Sequence, residues 1–165
     1  MTSFELRVAT SDDTEAIAQV WYTGWADGHR GNVPVELEAH RNLDQFRARV
    51  PARIATTTVA VNPGGPGGTV VGFVVVHDAE IEQIYVAAAT RGSGIADALL
   101  RHGEHQIAAR FPIAWLAVVA GNARARRFYE RSGWSDAGAI DYPAEIGGGT
   151  LVIPTRRYEK PVAPR

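Results

Sequence analysis

Cysteine is absent from this 165-residue chain, which excludes disulfides, thiolate metal sites and any covalent intermediate on a protein thiol. Lysine occurs once, at Lys160, so no Gly-Lys-Ser/Thr phosphate loop can be drawn. An excess of either charge is missing too: 17 basic residues against 18 acidic ones leave a formal net charge of -1. No basic stripe points to nucleic acid, and no cationic amphipathic helix points to a membrane surface. No apolar run approaches the ~20 residues of a membrane span, and Glu5 and Arg7 stand where a secretory leader would carry its apolar segment. His102 and His105 lie three apart with no third ligand in a metal-binding pattern, so they read as a solvated helix face and no metal is expected. The expectation is a cytoplasmic protein with one domain over residues 1–160 and a frayed tail at 161–165.

What is present alternates between strand and helix signals. Phe4 to Ala9 alternates apolar and polar residues as a half-buried strand. Thr10, Ser11, Asp12 and Asp13 offer caps for a helix with Ala16, Ile17, Val20, Trp21 and Trp25 on its apolar face. After a break from His29 to Pro34, Val35 to Val50 predicts a second helical region. Arg53 to Val61 and Thr69 to His77 are β-branched runs around the turn segment Asn62 to Gly68, and Glu80 to Val86 is the next strand. A helix over Arg91 to Arg110 carries Ile95, Leu99, Gly103 and Ile107 on one stripe. Pro112 to Ala120 reads as a strand, and Asn122 opens a short helix closed by Gly133. Trp134 to Tyr142 and Val152 to Glu159 form a last strand pair around Gly147 to Gly149.

The most informative stretch joins the strand ending at Val86 to the following helix through Arg91-Gly92-Ser93-Gly94. Such a junction turns free N–H groups and the positive end of a helix dipole toward one point, where a phosphate is the natural ligand. Arg91 adds a cation with five donors. As a dinucleotide fingerprint the motif fails, because position 97 is Asp97 rather than a small residue, and the next strand, Trp115 to Ala120, carries no acid.

In another frame Arg91-Gly92-Ser93-Gly94-Ile95-Ala96 satisfies Arg/Gln-x-x-Gly-x-Gly/Ala. About 30 residues on, a strand leads to Asn122, then a helix with Ala125, Phe128 and Tyr129, then Gly133-Trp134. Two blocks in this order and spacing resemble the GNAT superfamily of acyl-CoA-dependent N-acetyltransferases. The resemblance is strong over residues 69–134 and weaker over nearly the whole chain. It implies an α/β fold with a mixed, mostly antiparallel sheet of about six to seven strands, flanked by about four helices and splayed near the CoA site. The implied donor is acetyl-CoA, its pyrophosphate held by Arg91, Gly92, Ser93, Gly94, Ile95 and Ala96 and its pantetheine arm paired with the backbone of Ile84, Tyr85 and Val86.

The same resemblance assigns Tyr129 to protonation of the departing CoA thiolate; read from the residues alone, Tyr129 is a core tyrosine with its hydroxyl at the surface. Asn122 is either a cap or a pantetheine contact. Glu80 and Glu82 share a face of their strand and read either as a solvated pair or as candidates for the base that deprotonates an amine, Glu80 first. Trp21 reads as core, Trp25 and His29 as acceptor-pocket residues. Asp141, Tyr142 and Glu145 are candidates for the opposite wall, where they would attract a cationic amine. The expected acceptor is a small-molecule or peptide amine, and a homodimer is among the assemblies expected. A non-catalytic acyl-CoA sensor is the alternative, and the intact Tyr129 with Glu80 and Glu82 favours turnover.

Overall fold

The computed structural model describes residues 3–64 and 68–163, so the centre of the expected hairpin connection and the last two residues lie outside the described part. Seven strands form one sheet in the order β1-β2-β3-β4-β5-β7-β6. They are β1 (Glu5–Val8), β2 (Thr57–Asn62), β3 (Thr69–His77), β4 (Glu80–Val86), β5 (Ile113–Val118), β6 (Ser135–Ile146) and β7 (Gly149–Pro161). Neighbours are antiparallel except β4 and β5, which run parallel. Five α-helices are described: α1 (Thr14–His29), α2 (Val35–Ala39), α3 (Leu43–Arg49), α4 (Ile95–Ala108) and α5 (Ala123–Arg131).

The inner strand β3 is buried on both faces along its middle, as a continuous apolar run in a covered sheet should be. Phe73 and Val75 join Ile17, Trp21 and Phe46 under α1 and α3, while Val74 packs with Leu99, Leu100, Ile107 and Leu116 on the α4 side. The α4 stripe is buried as its spacing predicts. At the start of α1, the Arg7 guanidinium grips both carboxylate oxygens of Asp13 at 2.8 and 2.9 Å, and Asp13 also accepts from the Thr10 N–H. These bonds hold the Asp13 pKa below its ordinary value.

Several boundaries differ from those the sequence predicts. The helical region at 35–50 breaks in two because Asn42 caps α3, its side chain accepting from the Gln45 N–H at 2.9 Å. Pro51 starts a 3-10 turn through Thr56, so the strand expected from Arg53 begins at Thr57. The helix expected from Arg91 begins at Ile95, since Gly94 is left-handed with φ +88°. His102 is not simply solvated; its Nε2 lies 3.2 Å from the Thr58 hydroxyl. The expected frayed tail is anchored at its start: β7 runs to Pro161, and the N–H of Val162 bonds to the Pro112 carbonyl at 3.0 Å.

Candidate active site

The parallel pair β4 and β5 has one point of register, Glu80 with Trp115, secured by the Trp115 N–H on the Ala79 carbonyl at 3.0 Å. Beyond it the strands part. A cavity of about 840 Å³ fills the gap and runs from the glycine turn to the helices on the other side of the sheet. Ile84, Tyr85 and Val86 line one side, and Leu116, Ala117 and Val118 the other. Strand edges that face each other without pairing leave main-chain donors and acceptors for a ligand.

At one end lies the turn before α4. Gly92 and Gly94 have φ of +81° and +88°, a conformation that L side chains rarely adopt. The first bond of the helix is Ala98 N–H to Gly94 carbonyl, so the amides of Ile95, Ala96 and Asp97 precede any intrahelical donor. Arg91, Gly92, Gly94 and Ala96 line the cavity; Ser93 turns its hydroxyl back to the Thr90 carbonyl, and Ile95 is buried in the core. The Arg91 guanidinium bonds Asp27 of α1 at 2.8 Å. Arg124, Phe128 and Arg131 of α5 also face the cavity, an i, i+4, i+7 face that sequence reasoning passed over.

Tyr129 sits on α5 at the cavity wall, 8% exposed, its ring against Trp134 and Tyr158 with centroids 6.2 and 6.1 Å away. Burial raises its phenol well above the ordinary value. The hydroxyl is therefore a protonated donor at neutral pH. Asn122 caps α5, its Oδ1 accepting from Ala125 N–H at 3.2 Å, and it lines the cavity as well, so the cap and ligand-facing readings are compatible.

Glu80 and Glu82 both line the cavity, in unlike settings. Glu80 is 7% exposed and accepts the Tyr142 hydroxyl on both oxygens at 3.0 and 3.1 Å. Burial raises its pKa against the Tyr142 bond, with the Glu82 charge adding to the rise. Glu82 is not a free carboxylate: Arg53 Nε donates to it. Glu145 is bound by Arg49 at 2.9 Å and approached by Arg53 at 3.6 Å. Of the expected opposite wall, Tyr142 and Glu145 line the cavity, with Glu145 paired to two arginines, whereas Asp141 is exposed and absent from the lining.

Trp25 and His29 both line the cavity and stack with centroids 4.9 Å apart and planes 5° apart. His29 Nδ1 lies 3.1 Å from the Trp25 carbonyl. Burial lowers its pKa to about 4. Trp21 is core, with the Arg49 guanidinium 4.3 Å over its ring. Sequence reasoning missed Arg41, Arg49 and Arg53, which all line this end; nothing in their spacing singles them out from the other arginines. It also missed Gly24, where a Cβ would stand 2.5 Å from the Tyr85 ring, and Gly28, where one would stand 2.7 Å from Asn122 Nδ2. Two glycines four apart on a helix were the available signal for that close approach.

The family description "Acetyltransferase (GNAT) family" matches residues 15–134, and the chain belongs to that family of acyltransferases. Enzymes of this family use acetyl-CoA. No curated protein matches the sequence. Among solved structures, the fold is similar to apo YjaB from Escherichia coli, with a TM-score of 0.74, 19% identity and coverage of 98% of this chain and 99% of that one. It is also similar to PaiA N-acetyltransferase from Thermoplasma acidophilum in complex with coenzyme A, with a TM-score of 0.71, 17% identity and coverage of 96% and 99%. A GCN5-related N-acetyltransferase from Kribbella flavida matches with a TM-score of 0.69 at 22% identity, covering 96% and 97%. At these identities the likeness establishes the fold.

Proposed function

We propose that the chain is a single-domain N-acetyltransferase that moves the acetyl group of acetyl-CoA to a primary amine by direct attack. The observation that carries this reading is the divergence of β4 and β5 beyond Glu80 and Trp115 into a cleft that ends at the open amides of α4, with Tyr129 on its wall. A thioester arm fits between the unpaired strand edges, and a pyrophosphate fits the glycine turn. Arg91, Gly92, Gly94 and Ala96 would hold the phosphates, with Arg124 and Arg131 close enough to add charge.

An amine with pKa ~10.4 is only about one part in 2,500 free at pH 7, a deficit of roughly 4.6 kcal/mol. Glu80 takes that proton, directly or through water, because burial raises the basicity of its carboxylate while Glu82 is committed to Arg53. The amine nitrogen forms a bond to the thioester carbon, a main-chain N–H of the β4 end stabilises the oxygen, and the C–S bond breaks. The thiolate takes the Tyr129 proton, and the proton that the acylated nitrogen sheds restores the phenol through water. A free thiol has a pKa near ~8.5 and the buried phenol lies above its ordinary value, so the hydroxyl would serve the thiolate as a hydrogen-bond donor whose proton moves as the C–S bond breaks. No cysteine is available for an acyl-enzyme, in keeping with direct attack.

The acceptor is a small-molecule or peptide amine, and the protein acts in the cytoplasm. Among the described residues no helix is long and apolar enough to cross a membrane. Incubation with acetyl-CoA and an amine panel, read by mass, tests the reading. An N-acetyl product equal in amount to released thiol supports it. Acetyl-CoA binding with no amine-dependent thiol release would make the chain an acyl-CoA sensor instead.

A further inference from the structure

Arg41 lies between α2 and α3, is 5% exposed and lines the cavity. One of its donors is used: Nη1 reaches the Gln45 side-chain oxygen at 2.8 Å. Its Nε is buried without any hydrogen-bond partner. The neighbouring cations are satisfied differently, Arg49 by Glu145 and Arg53 by Glu82 and Glu145, whereas no carboxylate pairs with Arg41 among the described residues. Burial, and then the Arg49 charge, lower the Arg41 pKa to about 10, still far above neutrality. Burying a guanidinium with no counter-ion is unfavourable, and a bound anion would offset part of that cost.

We infer that Arg41 is the anion-recognition residue at the acceptor end of the cleft and that the acceptor is an amine that also carries a carboxylate. The inference rests on the acetyltransferase reading for its amine half. A carboxylate suits the fork of a guanidinium, and of the outer Arg41 nitrogens only Nη1 has a partner among the described residues, which leaves the Nη2 edge for an anion. The Trp25 ring, 5.8 Å from the Arg41 guanidinium carbon, backs the cation on one side and limits the directions from which the anion can approach. Arg49 and Arg53 act on Arg41 against the single carboxylate of Glu145, so the charge balance around it is positive. The cavity therefore has an anion-binding pole at Arg41 and a proton-accepting pole at Glu80, and an acceptor with an amine and a carboxylate meets both.

The test is a set of α- and ω-amino acids of graded length, each assayed beside its carboxamide with acetyl-CoA. In the parent, kcat/KM favours the carboxylate of the best length by roughly tenfold or more, mainly through KM, as expected for a charge-assisted contact in a buried site. In Arg41→Gln that ratio falls to near one, and Arg41→Lys keeps part of it. Calorimetric binding of the N-acetyl amino acids and their carboxamides to the CoA-loaded protein reads the same preference without turnover. Preferential binding with no turnover would overturn the transferase reading and leave Arg41 in its role. A parent that treats acid and amide alike in both assays, or an Arg41→Gln that retains the preference, would overturn this inference.

Discussion

The glycine turn at the head of α4 and the arginine-lined end beneath α1 and α3 face one cavity, yet only the first is made mainly of main chain. At the turn, a left-handed Gly94 and three helix amides supply the chemistry, and Arg91 contributes one exposed cation. At the other end Arg41, Arg49, Arg53, Glu80, Glu82, Glu145 and Tyr142 come from widely separated segments and set one another's charge. A backbone site serves any chain that folds this way, whereas a side-chain site can be rewritten without disturbing the sheet. On the proposed function, the half that would bind a constant donor and the half that would select an acceptor are accordingly built from different materials.

That contrast is broken first where the halves meet. Tyr129→Phe keeps the ring packing against Trp134 and Tyr158 and removes only the donor, so kcat should fall about 10²-fold while acetyl-CoA affinity stays near the parent's. Steady-state kinetics beside calorimetry check this, and an unchanged kcat would strike Tyr129 from the mechanism.

Next in size is the base. Glu80→Gln should cost tens of fold near pH 7 and recover toward pH 9 to 10 as free amine accumulates. Glu82→Gln should act more weakly on rate, because its main loss is the Arg53 ion pair. Stability separates the pair as well. With the Glu80 pKa raised on folding, the native state holds more protons than the unfolded chain above pH 4.5, and stability drains away as pH rises through the folded value. Glu80→Gln should therefore gain thermal stability relative to the parent between pH 4.5 and 7, whereas Glu82→Gln should lose it. Parallel pH–rate and pH–melting profiles for both variants would show that neither asymmetry exists.

Gly94→Val should weaken CoA binding by about tenfold and cost about 1 to 2 kcal/mol of stability, since φ +88° is strained for a β-branched residue. Arg91→Ala should weaken binding less, because its guanidinium is partly engaged by Asp27. Calorimetry with CoA orders the two, and a larger effect at Arg91 would mean that side-chain charge rather than main chain holds the phosphates.

The smallest effect concerns His29. Its folded pKa of about 4 lies below the unfolded value of 6.5, so the unfolded chain binds the extra proton and stability is lost as pH falls through that window. His29→Gln should remove about 1 to 2 kcal/mol of the parent's decline between pH 7.5 and 5, read by denaturant melts at each pH.

The same division explains what could be read in advance. Period and glycine placement are local, so the α4 stripe, the glycine turn and the Asn122 cap were legible in the chain. So was the placement of Tyr129 on the helix face it shares with Ala125, both of which line the cavity. Local signals misplaced boundaries where a single residue overrode the pattern, as Asn42 did in splitting α2 from α3 and Pro51 in delaying β2. At the arginine-lined end Trp25, His29, Glu80, Glu82 and Tyr142 were legible as lining residues, but the charge balance was not, because its ion pairs join residues far apart in sequence. Nothing near Glu145 announces that Arg49 neutralises it, and Arg41 matters for the carboxylate it does not have.

Hydrogen exchange with and without CoA tests this division most directly. The account predicts slower exchange at the amides of residues 92–97 and 84–86 on binding, with little change over 37–53. Saturating CoA that leaves the glycine turn unprotected, or that protects the arginine-lined segment instead, would contradict it.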